Sequence, residues 1–359
     1  MSATLFVPTP LRQVTRGQAK LQITAATLQE VIEHADEAYP GFRDRVLDGN
    51  GEIKRFINIF VNGVDVRKLE GRATRVQDGD EVAVIPAMAG GDDPAGAPVL
   101  VPAPWLQDHL NDPNLRLLDA RVSDPRLPMG YRMGHIPNAV PFDLNRDVYD
   151  LAGYGIPRLK SPEAIAQVLG SRGISNDATI VLYDEETGPL AGFVYWLLKY
   201  LGHGDVRVLN GGWHAWQRAN APVTREAPPV QPANYTAHVD PNQRTNADWI
   251  QQCAGRGDVV LLDARSDAEY YMGHIPGAVN LSFDEALDYS NQQLKAPAEL
   301  QKQFEAVGVT PDKEIVTYCG SGSRSAHTYL VLKSLGYPRV RNYDGSMMDW
   351  AQRQRLPLE

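Results

Sequence analysis

Cys319 heads the segment Cys319-Gly320-Ser321-Gly322-Ser323-Arg324 and is one of two cysteines in 359 residues. The thiolate is the reactive form of cysteine, and positive potential around the sulfur favours it. The residues after Cys319 can supply that potential. Gly320 and Gly322 permit dihedrals that turn backbone N–H groups inward, Ser321 and Ser323 are small, and Arg324 adds a full charge. An apolar run, Ile315 to Tyr318, precedes the cysteine and a helix-period stretch follows the loop. A strand–loop–helix unit is expected, with the helix N-terminus aimed at the sulfur. Such a cradle suits a thiolate or persulfide and attracts an anionic donor. The plainer alternative is a Gly/Ser turn with an incidental cysteine.

The elements that must position this loop occur twice. "LLDAR" stands at 117–121 and again at 261–265, "MGHIPNAVPFD" at 133–143 answers "MGHIPGAVNLSFD" at 272–284, and "WLLKYLGHGDVRVLNGGWHAW" at 196–216 answers "LVLKSLGYPRVRNYDGSMMDW" at 330–350. Three matches in the same order mean a duplicated domain. We place the copies at 99–225 and 242–359, joined by a Pro-rich linker at 226–241. In the second copy "VVLLDA" and "EIVTY" read as buried parallel strands. "AHTYLVLKSLG" reads as a helix ending at Gly336. Alternating strands and helices imply an α/β layer fold, whose ligands sit at the carboxyl ends of the strands. Cys319 lies at one such end and Arg265 of "DAR" at another. In the first copy the equivalent position is Asp184. A carboxylate there lacks the nucleophile and repels anions, so this copy is expected to be catalytically silent and to supply a wall of the cleft.

Other residues are tempting but weaker. His135 and His274 recur in both copies, including the one without a thiol, which favours a structural role. Met347 and Met348 either line the pocket or pack in the core, and Cys253 reads as a buried helix residue. No metal-ligating spacing is read. The net charge of -9 and the lack of a dense Lys/Arg tract make nucleic acid an unexpected partner. No run approaches a membrane span. The first residues lack the basic start and apolar core of a secretion signal, and the two distant cysteines form no disulfide framework, so a cytoplasmic protein is expected.

The first 91 residues form a different module. "TLQE" at 27–30 is a capping box opening a helix that places Leu28, Val31, Ile32 and Ala35 on one face. "RFINIFVNGVDV" alternates around the hairpin pair Asn62-Gly63, and "DGDEVAVIP" at 78–86 makes a further turn and strand. "AMAGG" follows, ending in Gly90 and Gly91, and then a linker at 92–98.

The duplication, the "GHIPGAV" segment and the Cys-led loop resemble the tandem-domain rhodaneses, the thiosulfate and 3-mercaptopyruvate sulfurtransferases. The resemblance implies that Cys319 accepts a sulfane sulfur as a persulfide, with no other cofactor, and passes it to a thiol, cyanide or a protein acceptor. It implies that the 320–324 amides hold that sulfur and that Arg265 contacts the anionic donor, although a structural ion pair would suit an arginine there equally. The loop begins like that of mercaptopyruvate-using members and ends like single-domain rhodaneses. A second arginine usual after Arg265 is missing, and Glu269 stands in that region. If Arg324 replaces the missing charge, thiosulfate or a persulfide donor is favoured over 3-mercaptopyruvate. The N-terminal module resembles the MoaD/ThiS sulfur carriers, whose terminal Gly-Gly is adenylated and converted to a thiocarboxylate. Here Gly91 is bonded to Asp92. The resemblance therefore implies a protease acting after Gly91 and an adenylating enzyme as partners, or a docking module only. The expected architecture is multidomain, α+β and α/β: a β-grasp (ubiquitin-like) domain, then two rhodanese-like α/β domains with central parallel sheets.

Overall fold

The computed structural model describes residues 2–7, 11–12, 14–48, 51–54, 57–62, 64–66, 69–86, 98–123, 129–150 and 158–359. Gly63, Gly90, Gly91 and most of the 92–98 linker lie outside them. The chain divides into two compact units, 1–89 and 90–359.

The first unit is one mixed sheet with a helix on it. β1 (Ser2–Phe6), β2 (Lys20–Thr24), β3 (Ile57–Val61), β4 (Val64–Asp65) and β5 (Glu81–Pro86) lie in the order β2-β1-β5-β3-β4. The outer pairs are antiparallel, while β1 and β5 run parallel. Helix α1 (Leu28–Ala38) buries Leu28, Val31, Ile32 and Ala35, the face its periodicity assigns. Its start is capped from both sides: the Glu30 N–H donates to the Thr27 hydroxyl (3.3 Å), and the Glu30 carboxylate accepts from the Ala26 N–H (2.7 Å). β3 and β4 pair across the Asn62 turn, where Asn62 has φ +50° and donates to Asp80 (2.7 Å).

The second unit holds two parallel sheets. In the first copy β6 (Leu100–Val101), β7 (Leu115–Asp119), β8 (Ala139–Pro141), β9 (Thr179–Tyr183) and β10 (Val206–Leu209) take the order β6-β10-β9-β7-β8. In the second, β11 (Val259–Asp263), β12 (Val279–Asn280), β13 (Glu314–Tyr318) and β14 (Val340–Asn342) take the order β12-β11-β13-β14. All their pairings are parallel, and the central strands β9 and β13 are buried after their first residue, while Val259 to Leu261 of β11 are half-buried. No helix among the described residues is long and apolar enough to cross a membrane.

The copies meet through the helices that follow their equivalent loops, α2 (Pro189–Tyr200) and α4 (Ser323–Ser334). Residues Ala191 to Leu198 of α2 are all buried, as expected of a helix that is apolar all round. Phe193, Trp196 and Leu197 share one core with Tyr329, Leu330 and Leu332. The backbones touch: a Cβ added at Gly192 would stand 2.6 Å from the His327 Cα.

His327 sits in this interface fully buried, with the Phe283 ring edge-on at 5.7 Å. Burial pushes its imidazole down to about 4 from 6.5. The unfolded chain therefore takes up this proton first. The stability contributed by the neutral ring is present above pH 6.5, falls as the pH drops, and stops falling near pH 4. Urea unfolding of the wild type and His327→Leu at pH 7 and 4.5 should show an extra acid-induced loss in the wild type of about 2 kcal/mol. Equal losses would contradict this account.

Candidate active site

β13 delivers Cys319 at its carboxyl end, where the residue is 1% exposed. The chain then turns through Gly320, Ser321 and Gly322 into α4. The Gly322 N–H donates to the Cys319 sulfur at 3.1 Å. Gly322 has φ +98°, and a Cβ there would stand 2.5 Å from the Asp344 carbonyl oxygen, so both the conformation and the space require glycine. It is also the N-cap of α4, with no side-chain cap, which leaves the positive end of a 12-residue helix beside the sulfur.

A second loop braces the first. The Cys319 N–H donates to the Ser346 hydroxyl (3.0 Å), which donates to the Tyr343 carbonyl (2.7 Å) and lies 3.9 Å from the sulfur. The carbonyls of Cys319 and Gly320 accept from the Met347 and Met348 N–H groups, each at 3.0 Å. Asp344 of this loop is gripped from the start of the second copy by Arg244, Nε to Oδ1 at 2.8 Å and Nη2 to Oδ2 at 2.9 Å. Burial pushes the Asp344 carboxyl up, and Arg244 opposes that shift.

Of the two roles open to Arg265, the geometry shows the structural ion pair. Arg265 Nε and Nη2 donate to the fully buried Asp263 at 3.0 and 2.6 Å, and Nη2 also donates to the Gly273 carbonyl at 2.8 Å. Arg121 of the first copy repeats the arrangement on Asp119 and Gly134. The guanidinium is committed to tying the strand end to the following loop. Arg324 does reach the catalytic loop, but it is paired: Nη1 and Nη2 donate to the Glu269 carboxylate at 2.6 and 2.8 Å.

In the first copy the Asp184 carboxylate accepts from the Gly188 and Ala191 N–H groups at 2.8 and 3.0 Å, at the start of α2. The helix end that faces a sulfur in one copy faces the chain's own carboxylate in the other. The first copy does wall the cleft, a space of about 770 Å³ lined by its Tyr149 and Arg158 together with Ser321, Ser323 and Met348. Met348 thus faces the cleft, while Met347 packs against a core that includes Tyr318 and Trp350. His135 and His274 stack on Tyr131 and Tyr270 at 3.8 and 3.7 Å and fix their loops. Cys253 is buried at the end of the helix Ala247–Gln252.

These features define a duplicated pair of α/β domains, one of which holds a buried cysteine at the positive end of a helix. The Rhodanese-like domain family matches residues 102–219 and 246–353, and the ThiS family matches 5–91. "Sulfur carrier protein TtuD" of Thermus thermophilus is 36% identical over 281 residues, 72% of this chain and 96% of that protein. A thiosulfate sulfurtransferase of Azotobacter vinelandii is 37% identical, covering 75% of this chain and 99% of its own length. The crystal structure of a 3-mercaptopyruvate sulfotransferase from Escherichia coli superposes with a TM-score of 0.63 at 31% identity, over 69% of this chain and 98% of that one. The chain belongs to the rhodanese family of sulfurtransferases and carries a ThiS-family domain ahead of its two rhodanese-like domains.

The structural role of Arg265 has a measurable consequence. Arg265→Ala leaves the Asp263 carboxylate uncompensated in the core and should lower the unfolding free energy by about 3–5 kcal/mol in urea denaturation. Normal stability with a raised donor KM would restore the anion-contact role.

Proposed function

We propose that the chain moves sulfane sulfur from a small anionic donor, thiosulfate foremost, through a Cys319 persulfide to a thiol, cyanide or a protein acceptor. The observation that carries this reading is the Gly322 N–H donating to a sulfur at the positive end of α4. In the first half-reaction the Cys319 thiolate attacks the outer sulfur of thiosulfate. A new S–S bond forms at Cys319, the donor S–S bond breaks, and sulfite leaves with the bonding pair. In the second, the acceptor attacks the terminal sulfur and the pair returns to Cys319 as thiolate. No oxidant is consumed, and the sulfur rides on the protein without a separate cofactor. The relatives named for thiosulfate support the first donor, and the relative named for 3-mercaptopyruvate supports the alternative. A reducing, cytoplasmic setting fits two unbridged cysteines.

Intact mass spectra after separate incubation with thiosulfate and 3-mercaptopyruvate test the persulfide. A gain of one sulfur atom is expected with thiosulfate and should be absent in Cys319→Ser. A gain with 3-mercaptopyruvate alone would reverse the donor order, and none with either would remove both donors.

A second reading concerns the N-terminal module. Its ThiS-family match runs to Gly91, and cleavage there would free the Gly90-Gly91 carboxylate for an adenylating enzyme, giving a carrier for cofactor or cysteine biosynthesis. Immunoblots and mass spectra of native cells should then contain an N-terminal fragment ending at Gly91. Full-length chain alone under every growth condition would leave the module a docking element.

A further inference from the structure

Arg324 is the cation built into the catalytic loop. Its side chain folds back over Gly320, where an added Cβ would stand 3.3 Å from Nη2. The guanidinium is shared rather than free, because Glu269 on α3 (Asp267–Tyr271) holds two of its nitrogens at 2.6 and 2.8 Å while Cys319 also acts on it. Glu269 is itself fixed in a capping box. Its carboxylate accepts from the Ser266 N–H (3.3 Å) and hydroxyl (3.0 Å), and its own N–H donates to that hydroxyl (3.4 Å). The hydrogen bond from Arg324 holds the Glu269 carboxyl down at about 2, so it is an anion throughout the working pH range. Other arginines at this end of the domain are likewise committed: Arg265 to Asp263, Arg244 to Asp344 and Arg353 to Asp349.

The Arg324–Glu269 pair differs from these in its carboxylate: Glu269 is 33% exposed, against 0%, 12% and 10% for Asp263, Asp344 and Asp349. Solvent weakens an ion pair whose two partners are both partly exposed. An incoming anion can therefore contend with Glu269 for the guanidinium.

We propose that Glu269 is an internal competitor for Arg324 that sets how strongly the catalytic loop attracts an anionic donor. A donor charged at its reacting end has to share or displace the Glu269 carboxylate, and it binds less tightly than the loop alone would allow. Glu269 is thus a positioning residue acting through Arg324. This rests on the sulfur-transfer reading of Cys319 but not on the identity of the donor.

The test uses the full chain as wild type, Glu269→Gln and Glu269→Asp. Gln preserves the capping box and removes the charge; Asp keeps the charge. Cys319 is alkylated at low salt with iodoacetate or iodoacetamide, which are alike in size, and the rate is read on the Cys319 peptide by mass spectrometry. The iodoacetate-to-iodoacetamide rate ratio should rise at least about threefold in Glu269→Gln and contract at high salt, whereas Glu269→Asp stays near wild type. The thiosulfate KM should fall in Glu269→Gln with kcat little changed. An unchanged ratio overturns the proposal, as does an equal acceleration with both reagents, which would mark a merely structural role. If the ratio rises but thiosulfate is turned over by no variant, the donor assignment fails and the role of Glu269 stands.

Discussion

The sulfur chemistry proposed for Cys319 asks an almost fully buried atom to hold negative charge, and that demand is the constraint around which the second copy is arranged. A buried charge needs a partner fixed in place. The chain supplies it with oriented peptide dipoles, the Gly322 N–H and the end of α4, beside an Arg324 guanidinium that is shared with Glu269. Such dipoles work only if the backbone holds still. Hence the second layer of support: Gly322 packed against Asp344, Ser346 taking the Cys319 amide, and Arg244 clamping Asp344 from the far end of the domain sequence.

The duplicated copies show which parts of this arrangement belong to the fold and which to the chemistry. The Asp–x–Arg tie, the tyrosine at the end of the central strand and the histidine stacked on its neighbour occur in both, with nearly the same distances. The anion-holding helix end occurs in both as well. In the first copy it is satisfied by Asp184, so an exchange of one side chain and a rebuilt loop distinguish the two copies.

Features set by local pattern are legible in the sequence. The repeats, the strand before Cys319, the glycine loop, the apolar face of α1 and the Asn62 turn all follow from periodicity or from what a glycine or asparagine permits. Arg265 is harder to read, because its spacing places it at a strand end without fixing the direction of its guanidinium. The repeat itself contains the missing information: "LLDAR" recurs in the copy without a thiol, the same observation that identifies His135 and His274 as structural, and it includes the partner aspartate. Pairings across long sequence separations leave no local trace. Glu269 with Arg324, and Arg244 with Asp344, are brought together only by the folded sheet.

Gly192 gives the domain pair a mechanical character. Where two helices touch backbone to backbone at one point, that point acts as a spacer of fixed width, because a close-packed interior does not yield to an added atom. The separation of the two copies is set there by the absence of a side chain, and the width of the cleft between them depends on a residue that never faces it.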